Sequence, residues 1–123
     1  MIQPLALVLY ERLLPGSRLV NLLQDLKYRV QTLADAGMLV ECAEQVKPML
    51  LIVDLESARS NVTQAIAKLR QNAATQHIPV IAFGGEASKL KEDAKEAGVT
   101  LIVDETALLS HLPIFLEQAL QVE

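Results

Sequence analysis

Acidic residues follow several apolar segments of this sequence, at positions where their carboxylates could act together. Asp54 ends the segment Met49–Val53, and Glu11 follows the apolar run near the N-terminus. Asp104 and Glu105 follow another short apolar segment. Because hard divalent cations prefer carboxylate oxygens, these side chains could form a weak Mg²⁺ site. None of them has the spacing of a strict ligand motif, which favours a solvated acidic rim instead. Asp54 could also simply cap the turn that follows it.

Other residue types that often carry chemistry give weaker signals. Gly84 and Gly85 follow an apolar segment, where backbone N–H groups could bind an anion, but without a following lysine a tight turn is favoured. His77 and His111 have no Ser or Cys nucleophile at a recognisable spacing, so we expect both at the surface. Cys42 lies on an apolar helical face and is predicted to be a small core residue. The sequence therefore predicts no catalytic constellation, and no enzyme.

The elements that position these residues alternate between strands and helices. Uninterrupted apolar runs bounded by turn residues indicate strands buried in a parallel sheet. The segment Tyr28–Leu33 alternates instead, which suits an edge strand. The predicted strands are Leu5–Tyr10, Tyr28–Leu33, Met49–Asp54, Pro79–Phe83 and Leu101–Val103. The first predicted helix begins after a Ser17 cap, and the second begins near Leu39. The third follows an Asn61 capping box and continues to Ala73, and the fourth carries an apolar stripe from Ala87 to Ala97. The fifth runs from Leu112 to Leu120, with Pro113 in its first turn.

This alternation predicts one domain spanning residues 1–123. Short crossovers force neighbouring strands to be parallel. The expected fold is α/β, a three-layer α/β/α arrangement in which the five-stranded sheet has the flavodoxin-like order 2-1-3-4-5. In such sheets, sites form beyond the carboxyl ends of the strands, which is where Asp54 would lie.

Composition excludes several classes of function. The net charge is −4 without a basic cluster, which argues against nucleic-acid binding. No apolar stretch approaches the roughly 20 residues needed to span a bilayer, so no membrane association is expected. The N-terminus lacks the pattern of a signal peptide, and the single cysteine cannot form an internal disulfide. Both features lead us to expect a cytoplasmic protein.

Three short segments together resemble one family. Lys47-Pro48 precedes the strand that ends at Asp54, Pro79-Val80-Ile81 opens the next strand, and Ala97-Gly98-Val99 precedes the last one. This pattern resembles the receiver domain of two-component response regulators over essentially the whole chain. The resemblance implies that Asp54 occupies the position of the phosphorylated aspartate.

The resemblance fails at most of the family's other functional positions. The acidic pair that binds magnesium corresponds to Tyr10 and Glu11, so at most one acid is retained. The Ser or Thr that ends the fourth strand corresponds to Gly84, and the aromatic switch residue to Ile102. The lysine that pairs with the phosphoryl group corresponds to Glu105, or to Asp104 if the register differs by one residue. The Met-Pro segment after the phosphoacceptor is replaced by Glu56-Ser57-Ala58.

Replacing the lysine by an acid has a large electrostatic cost. Reversing one charge at about 4 Å changes a pair energy by roughly 8 kcal/mol at an effective dielectric constant near 20. We therefore predict a stand-alone degenerate receiver that needs no cofactor and acts as a protein-interaction module in bacterial signalling. The alternative is a functional single-domain response regulator, phosphorylated on Asp54 with Mg²⁺ held weakly by Glu11 and Asp54.

The same resemblance suggests which surface binds partners. With no output domain on the chain, a signal would leave through contact with another protein, whose identity the sequence does not indicate. In the receiver family the fourth and fifth helices and the strand between them form the usual partner face. Here that surface carries Lys89, Lys91, Glu92 and Lys95, which suits a charged, salt-sensitive association. A homodimer is the simplest form of this prediction.

Overall fold

In the part of the chain that the structure describes, five parallel strands form a central sheet. The computed structural model describes residues 4–10, 13–33, 36–55, 62–83, 92 and 95–121. In chain order the strands are β1 (Leu5–Leu9), β2 (Arg29–Leu33), β3 (Leu50–Asp54), β4 (Val80–Phe83) and β5 (Leu101–Val103). Their order across the sheet is β2-β1-β3-β4-β5, and every neighbouring pair is parallel. The predicted order 2-1-3-4-5 is therefore confirmed, with β3 at the centre of the sheet and β2 and β5 at its edges.

Helices connect these strands and cover both faces of the sheet. A 3₁₀ turn, Ala36–Met38, leads into the second helix, and residues 92 and 95–97 between β4 and β5 are also helical. None of the helices that the structure describes is both long enough and apolar enough to cross a bilayer. The helices are α1 (Leu13–Asp25), α2 (Leu39–Val46), α3 (Val62–Gln71), α4 (Glu105–Ser110) and α5 (Leu112–Gln121).

Alternate strand residues enter two separate hydrophobic cores, because successive side chains of a strand point to opposite faces. In β1, Leu7 and Leu9 belong to the core that contains buried residues of α2 and α3. Ala6 and Val8 belong to the core that contains buried residues of α1, α4 and α5. All residues of β3 and β4 are buried. The expected three-layer α/β/α arrangement is confirmed.

The beginning of α1 and the end of α3 differ from the prediction. The first helix begins at Leu13, so Ser17 lies inside it and does not cap it. Pro15 is tolerated because the first N–H groups of a helix have no partner within the helix. The third helix ends at Gln71, and Ala73 is exposed. The capping residue predicted for this helix, Asn61, lies outside the described residues.

Side chains after α3 explain why that helix stops. Asn72 Oδ1 accepts a hydrogen bond from the Ala74 N–H at 2.9 Å. The fully buried Thr75 donates from Oγ1 to the Leu69 carbonyl at 2.7 Å. Such local bonds offer the backbone an alternative to further helical turns.

The short helix α4 was not predicted. It has six residues, of which only Leu108 is buried. A single buried position cannot show the repeated spacing by which a helix is recognised in sequence. Its beginning is set by Asp104, whose carboxylate accepts from the Ala107 N–H. An acid at this N-cap position is a common helix start. The helix lies between β5 and α5, directly beyond the carboxyl edge of the sheet.

Candidate functional site at the carboxyl edge of the sheet

Asp54 is a fully buried acidic residue at the end of the central strand. It is the last residue of β3 and has 0% exposure. In the ladder it lies opposite Phe83, the last residue of β4. Directly beyond it, the Leu55 N–H donates to the Phe83 carbonyl at 2.8 Å. Asp54 therefore lies where the sequence predicted, at the carboxyl edge, in a strand that lies between β1 and β4.

The strand register fixes how Asp54 relates to the acids after β5. Asp54 pairs with Phe83, and Phe83 pairs with Val103, so these three residues share one level of the sheet. Asp104 is the next residue. Two strand spacings separate the backbones of β3 and β5 by about 10 Å at this level. The residue that directly follows β5 on this edge is thus an acid, two strands from Asp54.

The carboxylate of Asp104 is occupied locally. One oxygen accepts from the Ala107 N–H at 3.4 Å, and the Asp104 carbonyl accepts from the Leu108 N–H at 2.8 Å. The side chain is exposed, and Glu105, the first residue of α4, is half-buried. Asp104 therefore serves as a helix cap. The correspondence of Glu105, or of Asp104, to the family's lysine stays a prediction.

Tyr10 follows β1 on the same edge of the sheet. It is half-buried against the core that contains α1, and its N–H donates to the Leu33 carbonyl at 2.9 Å. Ile102, in β5, is half-buried and packs against the core on the other face. Glu11 and Gly84 lie outside the described residues, so their predicted roles stay predictions.

The described residues do not make up a metal centre by themselves. Among them, no group of three His, Cys, Asp or Glu side chains could hold a metal ion. Asp54 lies in the central strand, whereas the carboxylate of Asp104 caps α4. These residues alone do not fit a Mg²⁺ ion, and a weak site completed by Glu11 stays a prediction.

The predicted partner face is described only in part. Glu92 and Lys95 are helical and exposed, while Lys89 and Lys91 lie outside the described residues. The exposed side chains agree with a surface role.

The remaining candidates lie away from this edge or at the surface. His77 and His111 are both exposed, as predicted. His111 caps the end of α4 through its backbone N–H, which donates to the Ala107 carbonyl. Cys42 is half-buried and packs against the core that contains α2, and burial raises the pKa of its thiol.

One polar residue of structural importance was missed in the sequence. Arg70 forms hydrogen bonds with three backbone carbonyls at the amino edge of β4 and β5, opposite Asp54. The signal was a charge on an apolar stripe, because Arg70 follows Ile66 at helical spacing and adjoins Leu69. A charged residue in such a position needs buried partners.

Solved structures resemble this chain closely, whereas its sequence matches no protein-family model and no curated protein. The receiver domain of the sensor histidine kinase PA1611 from Pseudomonas aeruginosa has a TM-score of 0.88 at 19% identity, with 98% of this chain and 99% of that chain covered. The chemotaxis response regulator CheY4 of Vibrio cholerae has a TM-score of 0.83 at 17% identity, with 96% and 99% covered. The chain has the fold of a response-regulator receiver domain. The response regulator domain of Thermotoga maritima CheB shares this receiver fold, with a TM-score of 0.81, 18% identity and 99% of both chains covered.

At these identities the similarity concerns the receiver fold alone. The PA1611 structure holds a magnesium ion in its active-site cleft. That observation describes the PA1611 domain.

Proposed function

We propose that residues 1–123 form one degenerate receiver domain that acts as a protein-interaction module in bacterial two-component-type signalling. Its interactions would not require phosphorylation of Asp54. The receiver fold supports the signalling context. The residues around Asp54 support the loss of phosphorylation.

The observation that carries this proposal is the acid after β5. A phosphoryl group on Asp54 would add nearly two negative charges at an edge where Asp104 already carries one. Acyl phosphates in proteins require nearby cations or hydrogen-bond donors to offset that charge. Asp104 supplies neither, because an ionised carboxylate is negatively charged and only accepts hydrogen bonds.

The residue after β4 removes a second source of stabilisation. Gly84 follows Phe83 directly and has no hydroxyl group to donate. Gly84 could therefore offer a phosphoryl oxygen only its backbone N–H as a donor. Both neighbouring positions thus disfavour the charged product.

The alternative is the functional response regulator. It is favoured by one observation, the location of Asp54 at the end of the central strand of a receiver fold. In that case Glu11 and Asp54 would bind Mg²⁺, in the millimolar range at best by comparison with the weakest oxygen-ligand sites.

Intact-mass measurement separates the two functions. The protein is incubated with a small acyl phosphate and Mg²⁺ beside an active receiver domain, which verifies the reagent. We expect no gain of a phosphoryl group. A gain that is abolished by Asp54→Asn but retained in Asp25→Asn, which changes an exposed aspartate at the end of α1, would establish the functional receiver instead.

A reciprocal variant tests the stated cause. Replacing both acids after β5 by lysine, in Asp104→Lys and Glu105→Lys, restores a cation on the Asp54 edge. Together with Gly84→Thr, these changes should raise phosphoryl incorporation above the undetectable level of the parent protein. Incorporation by the parent and no further gain in the variants would contradict the electrostatic explanation.

A further inference from the structure

Arg70 joins three parts of the chain at the amino edge of the sheet. From α3, its Nε donates to the Gly98 carbonyl at 2.8 Å. One terminal nitrogen donates to the carbonyls of Gln76 at 2.7 Å and Ile78 at 2.6 Å. The other donates to Thr100 Oγ1 at 3.4 Å. We call Arg70 and these four acceptors the Arg70 latch. It connects α3, the segment before β4 and the turn before β5.

The acceptors of the latch are neutral oxygens. Burial lowers the pKa of the Arg70 guanidinium, although arginine remains charged at neutral pH. Hydrogen bonds from a charged donor are stronger than neutral ones, and the planar fork of arginine can serve several acceptors at fixed angles. A lysine ammonium would not reproduce this geometry.

The turn before β5 is shaped to receive the arginine. Gly98 has φ +105°, and a Cβ atom there would lie 2.9 Å from Arg70 Cγ. Thr100 continues the connection into β4, since its Oγ1 accepts from the Val80 N–H at 3.0 Å and its N–H donates to the Val80 carbonyl at 2.8 Å. The latch therefore acts on the first contact between β4 and β5.

In the part of the chain that the structure describes, β5 pairs with β4 alone, and its residues are packed, half-buried, against the two hydrophobic cores. It is an edge strand of three residues, all of them half-buried, whereas the four residues of β4 are all buried. Its ladder with β4 contains three residue pairs. Since the ladder is short, the latch adds hydrogen bonds at the amino end of β5 that the ladder does not supply.

We propose that the Arg70 latch is a conformational device that controls a partial opening of the sheet. In this opening, β5 and residues 98–100 separate from β4 while β1, β2 and β3 remain paired. Local openings of this kind have free energies below that of global unfolding. In the chain, β5 leads directly into Asp104 and Glu105, and Lys95 lies shortly before residues 98–100. The latch thus sets how firmly the carboxyl-edge acids and the adjoining surface are held.

Native-state hydrogen exchange across a series of low urea concentrations tests the device in the unmodified protein. The Thr100 amide bonds the Val80 carbonyl, and the Leu51 amide of β3 bonds the Pro79 carbonyl. We expect Thr100 to exchange at least about tenfold faster than Leu51, with a weaker dependence on urea because less surface is exposed. Equal rates and equal urea dependence would overturn the proposal, because β5 would then open only with the whole molecule.

The variant Arg70→Met tests the role of the arginine. A latch that is broken in the partial opening is absent from both the open and the unfolded states. Arg70→Met should therefore speed exchange at Thr100 and Leu51 by the same factor, about tenfold or more. If Leu51 alone becomes faster, β5 opens with the latch intact, and the proposal is wrong. If neither becomes faster, the latch does not hold the sheet, and it is wrong as well.

Two further variants complete the experiment. Lys68→Met removes an exposed cation from the same helix and should leave both rates unchanged within about twofold. Arg70→Lys keeps the positive charge but lacks the planar guanidinium, and it replaces Arg70→Met in the experiment if that variant does not fold. It should speed both amides equally and by less than Arg70→Met. Wild-type rates in Arg70→Lys would contradict the requirement for arginine.

Discussion

At Gly98, backbone conformation and a side-chain contact both exclude a larger residue. Its φ of +105° is one that residues with a Cβ rarely adopt, and the Arg70 side chain occupies the space that a Cβ would need. The two constraints have different origins. One is intrinsic to the turn, and the other depends on the arginine.

Gly98→Ala should lower the free energy of unfolding by more than about 1 kcal/mol, because alanine is strained at positive φ. Urea denaturation measures this change. In the double variant Gly98→Ala with Arg70→Ala, the loss should be smaller than the sum of the two single losses, because the contact with Cγ is gone. Full additivity would show that the contact contributes nothing.

The thiol of Cys42 provides a second prediction at this scale. Burial raises its pKa, so less thiolate is present in the folded protein than in the unfolded chain. Iodoacetamide should modify folded Cys42 more slowly than urea-unfolded protein near pH 8. Equal rates would contradict this prediction. The single cysteine makes the measurement unambiguous.

The same shift has a consequence for stability. A group with a raised folded-state pKa contributes stability that is fully present below the unfolded-state pKa, about 8.5 for a thiol. That contribution is lost as the pH rises from there through the folded-state pKa. Cys42→Ala should weaken this alkaline loss in urea titrations.

Among the elements, β3 is the strand on which the sheet depends most. It lies between β1 and β4, and Leu51 has 0% exposure within it. Leu51→Ala should cost about 2–5 kcal/mol through the cavity that it leaves. Gln31→Ala, on the exposed edge strand β2, should change stability by less than about 0.5 kcal/mol. A cost below about 1 kcal/mol for Leu51→Ala would contradict the central position of β3.

The buried strands were predictable because their apolar runs are uninterrupted, and the edge strand β2 because its residues alternate. Asp54 was placed correctly because it ends an apolar run. The beginning of α1 at Leu13 was not predicted, because Pro15-Gly16-Ser17 indicates a break in the chain. The first turn of a helix nevertheless accepts proline. Helix α4 is too short for periodicity to reveal it. The Arg70 latch was hidden because its acceptors include the Gly98 carbonyl, 28 residues away, and backbone carbonyls have no signature in sequence.

For the whole molecule, the prediction concerns self-association. A homodimer through the surface of Lys89, Lys91, Glu92 and Lys95 would be held by charge pairs, which salt screens. Sedimentation at high protein concentration should show dimers at low salt and monomers at high salt. Lys95→Glu should weaken the dimer, while Arg29→Glu on β2, at the opposite edge of the sheet, should not. Monomer alone at low salt would exclude the homodimer.

The side chains that fill the interior also decide how the protein tolerates peroxide. Met38 and Met49 are 46% and 49% exposed, and the hydrophobic core of the described residues consists of Leu, Ile, Val, Ala and Phe. Peroxide converts methionine into a polar sulfoxide, which damages a fold mainly where the sulfur is packed inside. The thioethers of Met38 and Met49 can be oxidised at the surface, so the sheet and its two cores should remain folded after their oxidation.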